Sequence, residues 1–175
     1  QAIITYPKKK SMTNLQIREA NQADFEGIWP IFQSIVAAGE TYAYDKDSTR
    51  ADGFKVWMTY PRKTFVVEEN NQILGTYYIV SNHAGPGAHV CNCGYMVSSA
   101  ARGRGLATSM CDHSQQVAKA LGYKAMQFNF VASSNLAAIR LWEKLGFNKV
   151  GTLPGAFAHP SQGFIDAFVM YKWLD

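Results

Sequence analysis

The stretch of this chain best equipped for chemistry is VSSAARGRGLA, residues 97–107, where an apolar run gives way to a glycine-rich turn and then to a helical pattern. Gly103 and Gly105 remove side-chain bulk, so backbone N–H groups can converge, while the helix that follows aims its positive end at the same spot. Arg102 and Arg104 add charge, and together these features describe a cradle for a pyrophosphate. No GKS or GKT follows the turn, which argues against a nucleoside-triphosphate loop, and Thr108 breaks the GxGxxG spacing of a dinucleotide fold. By themselves, two glycines between a strand and a helix also fit a tight structural turn with solvated arginines. A second cluster, Cys91 and Cys93 with His83 and His89 nearby, lacks the paired spacing of a zinc site and reads as buried strand cysteines, so no metal is expected.

About 30 residues beyond the turn comes NLAAIRLWEKLGF. The two segments together resemble the acetyl-CoA signature of the GCN5-related N-acetyltransferase (GNAT) superfamily. Arg102, Gly105 and Ala107 fit its Arg/Gln-x-x-Gly-x-Gly/Ala pattern, and Asn135, Ala138, Gly146 and Phe147 fit the later one. The resemblance implies acetyl-CoA as cosubstrate. It places the backbone of Val97 against the pantetheine arm, the amides of Arg102, Gly103, Arg104, Gly105, Leu106 and Ala107 on the pyrophosphate, and Asn135 on the opposite side. The amides near Met96 and Val97 are the oxyanion candidates, because they end the strand against which the thioester would rest. Many members carry a Tyr in the last helix to protonate the departing thiolate; Trp142 stands there, and an indole N–H is too weak an acid to replace it.

The segments GETY, HVCNCGY, FNFVASSN and LWEKLGF further resemble a yeast branch of the family that acts on azetidine-2-carboxylate and related proline analogues. That comparison implies Asn92 and Asn129 as catalytic amides facing the thioester on adjacent strands; either could instead satisfy a neighbouring backbone group. Glu40, Thr41 and Tyr42 fall where the family often builds its acceptor pocket, so Glu40 and Tyr42 are substrate-binding candidates, with an ordinary helix end as the alternative. Asp166 is a candidate amino-group anchor or a partner for an arginine. His159 lies in a glycine-containing loop and carries no chemical role.

These residues need a scaffold, and the hydrophobic patterning supplies one. LQIREA reads as a short strand, FEGIWPIFQSIVAAG as a helix bent by Pro30 and stopped by Gly39, and STRADGFKVWMTY as a second helix. TFVVEEN and ILGTYYIVSN form a hairpin across Asn70 and Asn71, and HVCNCGYMVS is a third long strand. A helix to Gly122, the strand AMQFNFVA, the helix NLAAIRLWEKLGF and two final strands complete a mixed α/β order. The resemblance implies a GNAT-like fold, with a central, mostly antiparallel mixed sheet, one parallel splayed strand pair and about four helices.

The chain's 175 residues, 47% hydrophobic, suit one domain over residues 14–175 behind an N-terminal extension, residues 1–13, in which Lys8, Lys9 and Lys10 form a solvated arm. A net charge of +4 is far from the basic stripe of a nucleic-acid binder, and no apolar run approaches the ~20 residues of a membrane span. Three cysteines and the absence of a leader pattern favour free thiols in the cytoplasm. The expected activity is acetyl transfer to the amine of a small molecule, an amino acid or analogue, without nucleic acid or membrane as partner and with a homodimer left open. A non-catalytic acyl-CoA sensor is the alternative, motivated by Trp142; a basic protein- or nucleic-acid-binding domain rests on the charge and the lysine arm alone.

Overall fold

A computed structural model describes residues 14–175, so the lysine arm lies outside the described residues. Strand β1 (Gln16–Glu19) leads to helix α1 (Phe25–Ala38) through a reciprocal cap, in which the Asn21 side chain accepts from the amides of Ala23 and Asp24 while the Asp24 carboxylate accepts the Asn21 N–H. Gly39, at φ 65°, ends α1 in the left-handed conformation that glycine tolerates.

The expected second helix is present but changes type along its length. Helix α2 (Arg50–Phe54) widens into one π-type turn over Lys55–Thr59. At Trp57 the carbonyl accepts from Thr64 Oγ1 (2.6 Å), so a strand side chain takes a bond that a regular helix would make internally, while the indole N–H is anchored on Thr76 Oγ1 (3.0 Å).

Strands β2 (Lys63–Glu69) and β3 (Gln72–Ser81) form the expected hairpin, with Asn70 and Asn71 both at positive φ, as a tight two-residue turn requires. Next come β4 (Val90–Val97), α3 (Leu106–Ala120), β5 (Ala125–Ala132), α4 (Leu136–Lys144), β6 (Asn148–His159) and β7 (Gly163–Trp173). The seven-stranded sheet runs β1-β2-β3-β4-β5-β7-β6. Its pairs are antiparallel except β4 and β5, which α3 joins by a crossover.

That parallel pair is brief: Val90 faces Ala125, Cys91 faces Met126, and pairing stops there. Side-chain alternation along β4 serves two cores. Cys91 and Cys93 enter the one containing Met110 of α3 and Trp142 of α4, whereas Met96 enters the one containing Phe32 of α1 and Trp57. The two strands are thus anchored at one end by apolar packing and open toward the other. Cys91, Cys93 and Cys111 are free, buried thiols. Among the described residues no helix is long and apolar enough to cross a membrane.

Candidate active site

A cavity of about 680 Å³ occupies the opening between β4 and β5 and runs from the glycine turn to the loop after α1. At the turn, Gly103 and Gly105 both have φ 75°, and a side chain added at either would meet no atom within 4 Å. Gly105 is the N-cap of α3 and carries no side-chain cap, so the amides of the first turn, at Leu106, Ala107 and Thr108, are left for something outside the helix. The turn therefore fits a pyrophosphate, with Arg102 beside it on the cavity wall.

The Arg104 side chain points elsewhere. Its guanidinium grips Glu69 through two bonds of 2.8 and 2.9 Å, and the pairing holds the Glu69 carboxyl below its ordinary range. The fork of an arginine matches a carboxylate, and the end of β2 presents one, so of the two arginines Arg102 alone lines the cavity.

Where β5 leaves β4, the loop after α1 takes its place. The Tyr42 hydroxyl donates to the Tyr95 carbonyl (2.6 Å) and accepts the Tyr95 N–H (2.7 Å), mimicking a strand partner. Backbone groups alternate in direction along a strand, so Val97, two residues on, also turns its N–H and carbonyl into the gap, whereas Met96 turns its own toward Thr76 of β3. Of the two oxyanion candidates, Val97 is the one whose amide faces the cavity; the amide of Met96 is spent in the sheet and its side chain is buried.

Asn92 spans the splay at its root. Its Nδ2 donates to the Gln127 carbonyl of β5 (2.9 Å) and its Oδ1 accepts from the Tyr78 hydroxyl (3.0 Å). Asn129, more exposed, donates to Asn82 Oδ1 (2.6 Å) and accepts from Gln127 Nε2 (2.9 Å). Both asparagines line the cavity, with Asn92 tied into the sheet and Asn129 in a surface amide chain.

Tyr78 is placed by a glycine. A Cβ at Gly94 would lie 2.6 Å from Tyr78 Cε1 and 3.0 Å from Cζ, so the phenol lies across β4 where a side chain would otherwise stand. Tyr44 stacks on Tyr42 at 5.7 Å. Burial pushes the hydroxyls of Tyr42, Tyr44, Tyr78 and Tyr95 above the ordinary phenol range, so all four stay protonated at neutral pH.

The opposite wall is α4. Asn135 caps that helix, its Oδ1 accepting from the Ala138 amide (3.3 Å), and lines the cavity. Trp142 packs against Phe128 (4.9 Å) and Tyr95 (5.2 Å), giving the wall a flat apolar surface.

Other sequence candidates lie elsewhere. Glu40 is exposed and is not among the lining residues. Asp166 accepts the Gly155 N–H (2.9 Å), holding the irregular turn in β6 rather than an arginine. His159 accepts from the Ser161 amide (3.2 Å). Tyr44, Tyr78 and Gly94 were not singled out by sequence reasoning; an isolated glycine inside a strand was the available signal, since it marks a close approach.

A model of the acetyltransferase (GNAT) family matches residues 16–147. A GCN5-related N-acetyltransferase from Kribbella flavida superposes with a TM-score of 0.87 at 42% identity, covering 91% of this chain and 98% of that one. The structure of yncA from Salmonella typhimurium, solved with its cofactor acetyl-CoA, has the same fold, with a TM-score of 0.81 at 23% identity over 93% of this chain and 95% of that one. The N-acetyltransferase aca1 of Schizosaccharomyces pombe is 32% identical over 107 residues, 61% of this chain, and the match spans about half of that protein's length, 51%.

Proposed function

The chain belongs to the GNAT acetyltransferase family, and on that premise we propose that it transfers the acetyl group of acetyl-CoA to the amine of a small molecule, an amino acid or analogue. The observation that carries this reading is the meeting, in one cavity, of the uncapped first turn of α3 and the unpaired edge of β4. A pyrophosphate suits the first and an extended amide-bearing arm suits the second. The amides from Arg102 to Ala107 would hold the phosphates, Val97 and Asn135 would flank the arm, and the Trp142 face would pack against it. When bound, acetyl-CoA supplies an activated acyl group.

On this reading the acceptor enters from the side of Tyr78, Asn92 and Asn129, and the Val97 N–H meets the oxygen on which negative charge develops. Asn92 is held by bonds at both ends, so its carboxamide is preorganised, and the Tyr78 hydroxyl is fixed by the same contact. An indole N–H supplies no acidic proton, so on this reading Trp142 would pack against the arm and solvent would have to supply the proton for the thiolate.

Acetyl-CoA with a panel of amino acids and small amines, followed by release of free thiol, tests the proposal: turnover supports it, and silence across a broad panel counts against it. Trp142 favours a second reading, an acyl-CoA-binding module without turnover. Calorimetric binding of acetyl-CoA with no thiol release from any amine would select that one.

A further inference from the structure

Resting on the acetyltransferase reading, we infer that Glu69, at the end of β2 and outside the cavity, is a positioning residue for the cofactor: through Arg104 it holds the glycine turn in the shape that receives the pyrophosphate.

The connection from β4 to α3 is fastened at both ends and lightly tied in the middle. At its start the Ser98 N–H donates to the Leu74 carbonyl (2.8 Å) and the Ala101 N–H to the Ser98 carbonyl (2.9 Å). Ala101 and Leu106 are buried in the core that contains Met110. Between them Arg102, Gly103, Arg104 and Gly105 are all exposed. Glycines at φ 75° flank Arg104, and glycine leaves a chain the widest choice of backbone conformations. Among the described residues, no amide from Arg102 to Thr108 donates to a protein acceptor. Ahead of Gly105, whose carbonyl begins the helix, the side-chain tie on these residues is the fork from Arg104 to Glu69, at 2.8 and 2.9 Å.

The anchor is itself fixed. Glu69 pairs with Gln72 across the turn made by Asn70 and Asn71, and its side chain is only 14% exposed. β3 leaves from the same turn and carries Leu74, so one hairpin grips the connection at Ser98 and again at Arg104. A planar guanidinium bonded through two nitrogens to one carboxylate fixes orientation as well as distance. The peptide groups on either side of Arg104 therefore take their direction from the hairpin.

Charge alone gives the opposite expectation from a brace. A carboxylate near a pyrophosphate repels it, so removing Glu69 would tighten binding and free Arg104 to reach the phosphates. Removing a brace instead leaves the turn to be ordered at the binding step, and affinity falls.

Three variants of the full chain separate the two: Glu69→Gln, Arg104→Gln and the double replacement. Glutamine keeps the bulk of the glutamate and removes its charge. For a brace, the Kd of acetyl-CoA in calorimetry should rise about 3–10-fold in all three alike, with the double variant no worse than either single one. Without any ligand, the amide order parameters of Gly103 and Gly105 in Glu69→Gln should fall from about 0.85 toward about 0.6, while those of β3 hold. Tighter binding in Glu69→Gln, opposed changes that cancel in the double variant, or order parameters that do not move overturns the inference. Loss of order at the turn in a protein whose wild type binds no acetyl-CoA would sink the acetyltransferase reading and leave the brace of the turn standing. Normal wild-type binding with the turn unmoved in Glu69→Gln would do the reverse.

Discussion

The contact between Gly94 and Tyr78 makes the proposed acceptor side of the cavity testable by a single methyl group. Gly94→Ala would put a Cβ 2.6 Å from Tyr78 Cε1, 3.0 Å from Cζ and 3.1 Å from the hydroxyl oxygen. Carbon atoms settle about 3.5–4.0 Å apart, so the ring must back away by about 1 Å. Trp57, edge-on at 4.9 Å, restricts that retreat, and the 3.0 Å bond from the Tyr78 hydroxyl to Asn92 is the contact that gives way. Overpacking of this kind costs about 1–3 kcal/mol of stability, and a displacement of about 1 Å in a positioning group can cost up to about 100-fold in rate. The expected result is a fall of about 10–100-fold in kcat/KM for the amine, with the Kd of acetyl-CoA unchanged to within about twofold because the pyrophosphate turn is remote. Tyr78→Phe is the companion: it keeps the ring, removes the hydroxyl, and should lose about 1 kcal/mol of stability along with much of the same rate. Should Gly94→Ala lower the melting temperature while amine turnover stays at the wild-type value, Tyr78 is packing alone and the assignment of the acceptor side fails.

Three further outcomes are expected. Tyr42→Phe strips the hydroxyl that serves both backbone groups of Tyr95 and should cost about 1–3 kcal/mol in chemical denaturation, with a loss of turnover as the splay relaxes; an unchanged midpoint would refute the wedge. Gly105→Val forces a β-branched residue to φ 75° at the start of α3, with backbone strain of about 1–2 kcal/mol. Titration should show acetyl-CoA affinity falling at least about tenfold, and undiminished affinity would move the pyrophosphate elsewhere. Arg18, bonded to Asp24 at 2.8 Å and to Glu68 at 2.6 Å, holds the Asp24 carboxyl below its ordinary 3.8. A depressed folded-state pKa contributes stability above the unfolded value that is lost as pH falls through the folded one. Melting temperature against pH should therefore drop more steeply below pH 4 for the wild type than for Asp24→Asn, and parallel curves would exclude the pair as an acid-sensitive brace.

Features legible in the sequence were those fixed by local rules. Long apolar runs bounded by turn residues mark β3 and β4, a 3.6-residue stripe marks α3, and the positive φ at Gly103, Gly105, Asn70 and Asn71 restricts which residues can make those turns. The walls of the cavity were legible where they follow from the same rules, at the glycine turn and the strand end. Partners distant in sequence were not. Arg102 and Arg104 are alike in type and two residues apart, and Glu69, 35 residues earlier, decides which one turns away from the cavity. Tyr42 finds Tyr95 across 53 residues of sequence. The difference between Met96 and Val97 lay within reach, since amide direction alternates along any strand and one known bond fixes the phase.

Parting two strands in the middle of a sheet exposes backbone groups on both, and each needs a partner or water. Here several are met by side chains: the Tyr42 hydroxyl covers both groups of Tyr95 on β4, and Asn92 covers the Gln127 carbonyl on β5. Toward α3 these substitutes stop. Val97 faces the gap beyond the reach of the β5 ladder, and the first turn of α3 has no side-chain cap. The remaining hydrogen-bonding capacity is therefore an edge of extended backbone followed directly by a positive helix end, an arrangement suited to an amide-containing arm that terminates in phosphates. Because the tyrosine and the asparagine tie off backbone groups on both sides of the gap, the opening is part of the fold, and on the proposed acetyltransferase reading its ordering cost is met on folding, which would leave more of the cofactor's binding energy to orient the thioester.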